Sequence, residues 1–244
     1  MWQRLYWSLR REAWEHRAIW IAPVLFGVVV LVGFLTTLPQ LPETVASIAG
    51  PDPVIMEQHL QKPYIFAALA MFAAMFLVGV FSSVEALQGE RRDRSILFWK
   101  SMPVSDRTSV LSKAMMPLVV LPLIAYAMCI ILHVIMLVPS SAFLFAQGGD
   151  VRTFVTHLAP LDLNISALYG VIAVALWHSP IYGWLLFTSS WGGRAAVVWA
   201  FGPFVALGVA EVSGANTGDF VKNLLGAWVE TAFAWPATRV PPRS

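Results

Sequence analysis

Charge is what this sequence has least of: Asp, Glu, Lys and Arg together make up 12 % of its 244 residues. A soluble domain carries about 25 %, so there are too few charges to keep the surface of a water-soluble fold of this size wet. Cysteine is reduced to Cys129 alone, inside an apolar run, which excludes a disulfide framework and says nothing of redox compartment. No Gly-x-x-x-x-Gly-Lys-Ser/Thr loop occurs, so the chain has no such loop with which to cradle ATP phosphates. His-Glu-x-x-His and Gly-x-Ser-x-Gly are also missing, which leaves no zinc-protease or serine-hydrolase motif. The net charge of +2 is too small to point to nucleic acid.

Apolar residues are abundant, at 58 %, with a mean hydropathy of +0.68. Five stretches, near 19–38, 63–87, 114–138, 165–188 and 195–212, are long enough to cross a bilayer, which takes about 20 helical residues. The first is longer than the 7–15 apolar residues of a signal peptide and follows a long polar segment, so it reads as a retained helix. The expected fold is all-α, a polytopic transmembrane helical bundle of about five spans with an N-terminal amphipathic interfacial helix. The domain reading is an amphipathic helix over 1–18, a transmembrane domain over 19–213, and an outer-face helix with a disordered tail over 214–244.

Connections are expected at 39–62, rich in breakers (Pro39, Pro42, Pro53), and at 139–164, turning at Gly148, Gly149 and Pro160. A tight turn is expected at Gly192 and Gly193. The connection 89–113 differs: it is polar and strongly basic. Placing the N-terminus in the cytoplasm puts eleven of the 16 Lys and Arg on the inner side, including Arg4, Arg10, Arg11, Arg17, Arg91, Arg92, Arg94 and Lys100. The positive-inside rule then orients the chain with a cytosolic N-terminus.

Two inner-face elements are amphipathic. In 2–17, Trp2, Leu5, Tyr6, Leu9 and Ala13 recur at helical spacing, with Arg4, Ser8, Arg11 and Glu15 opposite. Such a helix lies in the headgroup plane, with its arginines toward anionic lipid, as a topology anchor or in a mechanical role. The second element runs from the charges of 90–94 into the apolar patch Ile96, Leu97, Phe98 and Trp99, and breaks at Pro103. Ser105 is placed to cap a following helix, with Asp106 at its positive N-terminal end. An apolar patch of this kind in a cytosolic loop must pack on the membrane interface or on a partner protein.

The run Gly89-Glu-Arg-Arg-Asp-Arg-Ser-Ile-Leu-Phe-Trp-Lys-Ser-Met-Pro-Val-Ser-Asp, with Arg10-Arg-Glu-Ala-Trp-Glu-His-Arg ahead of the first span, resembles the type-2 family of ABC export permeases. Glu90 and 101–106 match that family's pattern best. The resemblance implies a membrane permease subunit of an ATP-driven exporter in the cytoplasmic (inner) membrane, moving its substrate with a separate cytosolic ATP-binding subunit. ATP and Mg would belong to that partner, this chain would be no enzyme and hold no cofactor, and a second permease chain would complete the transporter as a homo- or heterodimer. The docking residues so implied are Glu90, Arg92, Arg94, Ile96, Phe98, Trp99, Pro103, Ser105 and Asp106. The family also implies a sixth helix. Residues 220–235 contain Lys222 and Glu230 and are short for a span, so the expectation is a short outer-face helix, with the sixth span missing. A non-transporting membrane scaffold or assembly factor is the alternative reading.

Ionisable groups inside spans are costly and often functional. His133 and His178 raise the possibility of haem ligation, but their depths in oppositely running helices differ by roughly 15 Å at about 1.5 Å per residue. Each is therefore expected to be neutral and hydrogen-bonded to a neighbouring helix. Pro180 is expected to kink its helix by freeing a carbonyl one turn earlier, and Pro117, Pro122 and Pro203 likewise. Glu85 and Glu211 are read as snorkelling or pairing groups near span ends. Trp20, Trp99, Trp177, Trp184, Trp191 and Trp199 are read as an interfacial belt.

Overall fold

The computed structural model describes residues 2–15, 17–47, 53–92, 106–192 and 195–212. Among them the chain is helical with no strand, as an all-α bundle requires. In chain order the helices are α1 (Trp2–Glu15), α2 (Ala18–Leu35), α3 (Leu41–Ser47), α4 (Pro53–Arg92), α5 (Asp106–Met115), α6 (Leu121–Ala146), α7 (Val151–Leu158), α8 (Pro160–Trp191) and α9 (Ala196–Val212). A 3-10 turn, Leu38–Gln40, precedes α3, and a π-helical turn, Met116–Val120, joins α5 to α6. Helices are what lipid demands, because a backbone in hydrocarbon must satisfy every N–H and C=O within the segment.

Among the described residues, four stretches are long and apolar enough to cross a membrane: Ala18–Leu35, Glu57–Ala86, Val110–Ala146 and Val151–Trp191. The chain is thus built as a multi-pass membrane protein. The fifth expected span corresponds to α9, whose 17 residues make about 26 Å of helix against a core of about 30 Å. The exteriors of these helices are apolar. In α2 only Ile19, Pro23, Val30 and Phe34 are buried, while Ile21, Val24, Leu25, Val28, Val29 and Val32 are exposed. A helix that is apolar all round and buried on one stripe only has lipid as its remaining solvent.

Two expected loops are largely helical where their residues are described. Within 39–62, Pro39 sits in the first positions of the 3-10 turn, Pro42 is the second residue of α3, and Pro53 is the first of α4. Proline is well tolerated there, since the first helical N–H groups have no partner in any case. Within 139–164, α6 runs through Pro139 to Ala146 and a separate helix, α7, follows. The turns fall where expected. Gly148 has φ +72, with Gly149 N donating to Leu144 O and Gly148 N to Phe145 O, a Schellman ending that needs the left-handed conformation. Helix α8 runs to Trp191, so the turn begins at Gly192. Residues 213–244, on which the expected outer-face helix and missing sixth span fall, lie outside the described residues.

The described residues form two compact units. One gathers Ala18–Phe76 and Pro122–Ile172. Its core takes Leu60, Tyr64, Ala67, Ala68, Met71 and Met75 from α4 and Ala125, Cys129, Leu132, Met136 and Leu144 from α6. Most of these positions are three or four residues apart, the stripe by which helices pack, and the alanines let backbones approach closely. The other unit holds the described residues within 2–17, 77–121 and 173–212. There α4 and α8 meet at Gly79, where an added Cβ would lie 2.7 Å from the Tyr182 hydroxyl. Ser189 Oγ donates to Val84 O at 2.7 Å, tying the same two helices.

Candidate functional site

The expected docking segment is only partly described. Glu90 and Arg92 lie in the last turn of α4, and Asp106 opens α5, one residue after the expected cap at Ser105. Arg94, Ile96, Phe98, Trp99, Pro103 and Ser105 lie outside the described residues. What can be built is the framework that follows the segment, within the unit containing α1.

Helix α1 packs on α5 and on the π-turn. Lys113, in the last turn of α5, donates from Nζ to Glu12 Oε1 at 3.0 Å, and both side chains are buried. A cation suits the C-terminal end of a helix, and a carboxylate opposite it offsets the desolvation that burial imposes. The next turn carries Pro117, buried, whose missing N–H cannot serve the carbonyl of Lys113, four residues back. The chain takes the π register over Met116–Val120, with Leu121 N–H reaching Met116 O. Single π-turns inside helices occur often at functional positions. The buried charge pair and the break in helical register thus lie one turn apart.

The face that α1 turns toward α5 is centred on Glu12. Glu12 is buried, with Ser8, Leu9 and Ala13 part-buried beside it, whereas Tyr6, Trp7 and Trp14 are largely exposed. A carboxylate held against a protein face needs a partner such as Lys113. On the far side Trp7, Arg10, Arg11 and Trp14 line an open cleft of about 320 Å³. The Arg10 guanidinium lies 5.3 Å from the centroid of the Trp7 ring. The spacing i, i+3, i+4, i+7 is visible in the sequence, but two Arg lie between the two Trp and mask the stripe when residues are sorted into apolar and charged.

The other unit holds a buried polar cluster among α4, α6 and α8. His133 lies with Nε2 3.0 Å from Tyr64 O and Nδ1 3.2 Å from the Asn164 amide. It is thus hydrogen-bonded to two neighbouring helices, as expected. Ser140 Oγ donates to Met136 O at 2.8 Å and lies 3.3 Å from the Tyr64 hydroxyl. Tyr126 donates to Asn164 O at 3.3 Å. Gln61 Nε2 reaches His157 O at 3.2 Å, at the C-terminal end of α7. Polar side chains bonded across helices act as glue where no hydrophobic force operates.

His178 belongs to the α1 unit, where its Nδ1 lies 2.6 Å from Val174 O of its own helix and its ring lies 6.1 Å from that of Tyr182. The carbonyl freed by Pro180, that of Leu176, accepts instead from Ser179 Oγ at 2.7 Å. The kink position is therefore saturated locally. Trp184 Nε1 donates to Ala200 O at 3.1 Å, and the Trp191 and Trp199 rings lie 5.0 Å apart where α8 gives way to α9. Glu85 is exposed on α4.

At the other loop, Asp150 caps α7. Its carboxylate accepts from Thr153 Oγ1 at 2.6 Å, Arg152 N at 2.9 Å and Thr153 N at 3.2 Å. The Thr153 hydroxyl foremost, then its amide, holds that carboxyl below the usual carboxylate range. Among the described residues no three His, Cys, Asp or Glu side chains gather in a way that could hold a metal ion. Compared with protein-family models, with characterised proteins and with solved structures, the chain matches none.

Proposed function

We propose that the chain is the membrane permease subunit of an ATP-driven exporter, with segment 89–113 as the docking site of a separate ATP-binding subunit. The single observation that carries this reading is the buried Glu12–Lys113 pair at 3.0 Å. Lys113 lies in the last turn of the helix that follows the charged run, and Glu12 belongs to α1. A push on the segment is therefore delivered to two bodies at once: to the π-turn that leads into α6, and to α1, which leads into α2. A loop whose work was only to join two spans has no use for a buried charge pair at its exit. The resemblance of the 89–106 run to the type-2 ABC permeases, and the lack of a phosphate loop in this chain, supply the rest.

On this reading the chain sits in the cytoplasmic membrane with its N-terminus inside, residue 100 cytosolic, and residues 50 and 150 outside. Substrate crosses with the help of a second permease chain, and ATP and Mg reside on the partner. The test is topology first. Single cysteines at positions 50, 100 and 150, with Cys129 replaced, are treated with an impermeant maleimide in intact cells. Positions 50 and 150 should label and position 100 should not. Labelling of position 100 from outside overturns the docking assignment.

A further inference from the structure

We infer that Trp7, Arg10, Arg11 and Trp14 form a binding site for the phosphate headgroup of one anionic phospholipid, independent of any role in transport. These four residues fall at i, i+3, i+4 and i+7 and share one face of α1. At about 100° per residue, the centre of that stripe lies about 150° around the helix from Glu12. Glu12 faces Lys113 of α5, so the stripe looks away from the protein surface on which α1 packs. Trp7 and Trp14 are 60 % and 74 % exposed, which for two indoles in water would be a standing cost. An indole is at home where one edge is wet and the other meets acyl chain.

The chemistry of the cleft selects the headgroup. Two guanidinium groups sit between two indoles along the described lining of the cleft. A guanidinium presents a planar fork that meets two oxygens of a phosphate at once. Arg10 is held against the Trp7 ring at 5.3 Å, so part of its rotamer freedom is already spent before an anion arrives. The cleft, about 320 Å³, is at the small end of ligand sites, which span about 300–1,000 Å³. It suits a headgroup and glycerol, with the chains left over the indoles and in the bilayer. Covalent connection supplies the location: from Trp14 to Ala18, where the first apolar helix starts, the chain reaches at most about 14 Å. A phosphate offered at that level of a membrane is a lipid phosphate.

The test uses the full chain, purified and exchanged into mixed micelles holding equal phosphatidylglycerol and phosphatidylcholine, with retained lipids counted by native mass spectrometry. The wild type should retain phosphatidylglycerol in preference, one molecule per chain above background. Arg10→Gln with Arg11→Gln should lower that occupancy roughly tenfold, and Arg10→Lys with Arg11→Lys should lower it less, since an ammonium keeps the charge and loses the fork. Trp7→Leu with Trp14→Leu should weaken retention while leaving the preference for the anionic lipid. Trp7, Arg10 and Trp14 are exposed and Arg11 is half-buried, so thermal unfolding of each variant is measured beside lipid retention, and the Lys pair, which keeps both charges, should unfold as wild type does. Equal phosphatidylglycerol occupancy in wild type and the double Gln variant overturns the proposal. So does displacement of the lipid by millimolar inorganic phosphate, which would assign the cleft to a soluble anion.

Discussion

Glu12 and Lys113 are separated by 101 residues of sequence and meet at 3.0 Å, with 9 % and 4 % of their side chains exposed. Truncating one partner removes the ion pair from a buried charge, which costs up to about 3–5 kcal/mol. Glu12→Ala and Lys113→Ala should each lower the unfolding temperature of the purified chain sharply. The exchanged double variant, Glu12→Lys with Lys113→Glu, should recover a large part of the loss. If the exchange is no better than the singles, the pair is not what joins α1 to α5.

A second expectation concerns the meeting of α4 and α8. A Cβ at Gly79 would lie 2.7–2.9 Å from three atoms of the Tyr182 ring and hydroxyl, closer than real Cβ contacts come. Tyr182 is itself 1 % exposed and has little room to move. Gly79→Ala should therefore destabilise the chain by about 1–3 kcal/mol, the range for overpacking. Adding Tyr182→Ala should make the second substitution non-additive, because the clash is gone. Additive losses in a double-mutant cycle would show that the two side chains do not share this space.

Legibility in the sequence varied with the physics that each feature rests on. Spans were legible because hydropathy over about 20 residues reports solvent directly. Their ends were not: α4 has 40 residues and α8 has 32, since a helix that leaves the bilayer loses its hydrophobicity and keeps its hydrogen bonds. Pro39, Pro42 and Pro53 were read as breakers, although the same residues start helices when they fall in a first turn. The protein-facing side of α1 was not legible, because Glu12 looks like any surface charge until Lys113, from a distant helix, is beside it. The His133 cluster was legible as chemistry and not as partners: an intramembrane histidine must be satisfied, but which helices supply Tyr64 O and Asn164 is a matter of packing.

A third expectation is a pH dependence confined to α7. Asp150 has its folded carboxyl pKa lowered from 3.8, chiefly by the Thr153 hydroxyl and amide. A depressed folded value means that the stabilisation is fully present above the unfolded pKa, near 4, and is lost as pH falls through the folded one. Amide exchange at Arg152 and Thr153, corrected for its intrinsic pH dependence, should therefore speed up only below about pH 4. Asp150→Asn keeps a good cap and should abolish that dependence. Asp150→Ala should speed exchange at all pH values. Unchanged exchange in Asp150→Ala would mean that the side chain does not hold the start of α7.

The central claim is that segment 89–113 receives a cytosolic ATP-binding protein, and a photo-crosslinker in place of Phe98 tests it most directly. Irradiated cells expressing this variant should yield an adduct between the chain and a soluble protein that binds ATP through a phosphate loop, identified by mass spectrometry of the cross-linked band. The adduct should fade when Trp99→Ala is added, since truncating a large aromatic in a packed contact typically costs about 3–5 kcal/mol, while the amount of chain in the membrane stays the same. Adducts to lipid alone, or an ATP-binding adduct undiminished by Trp99→Ala, would contradict the account: the patch would then rest on the bilayer, or the partner would be held elsewhere.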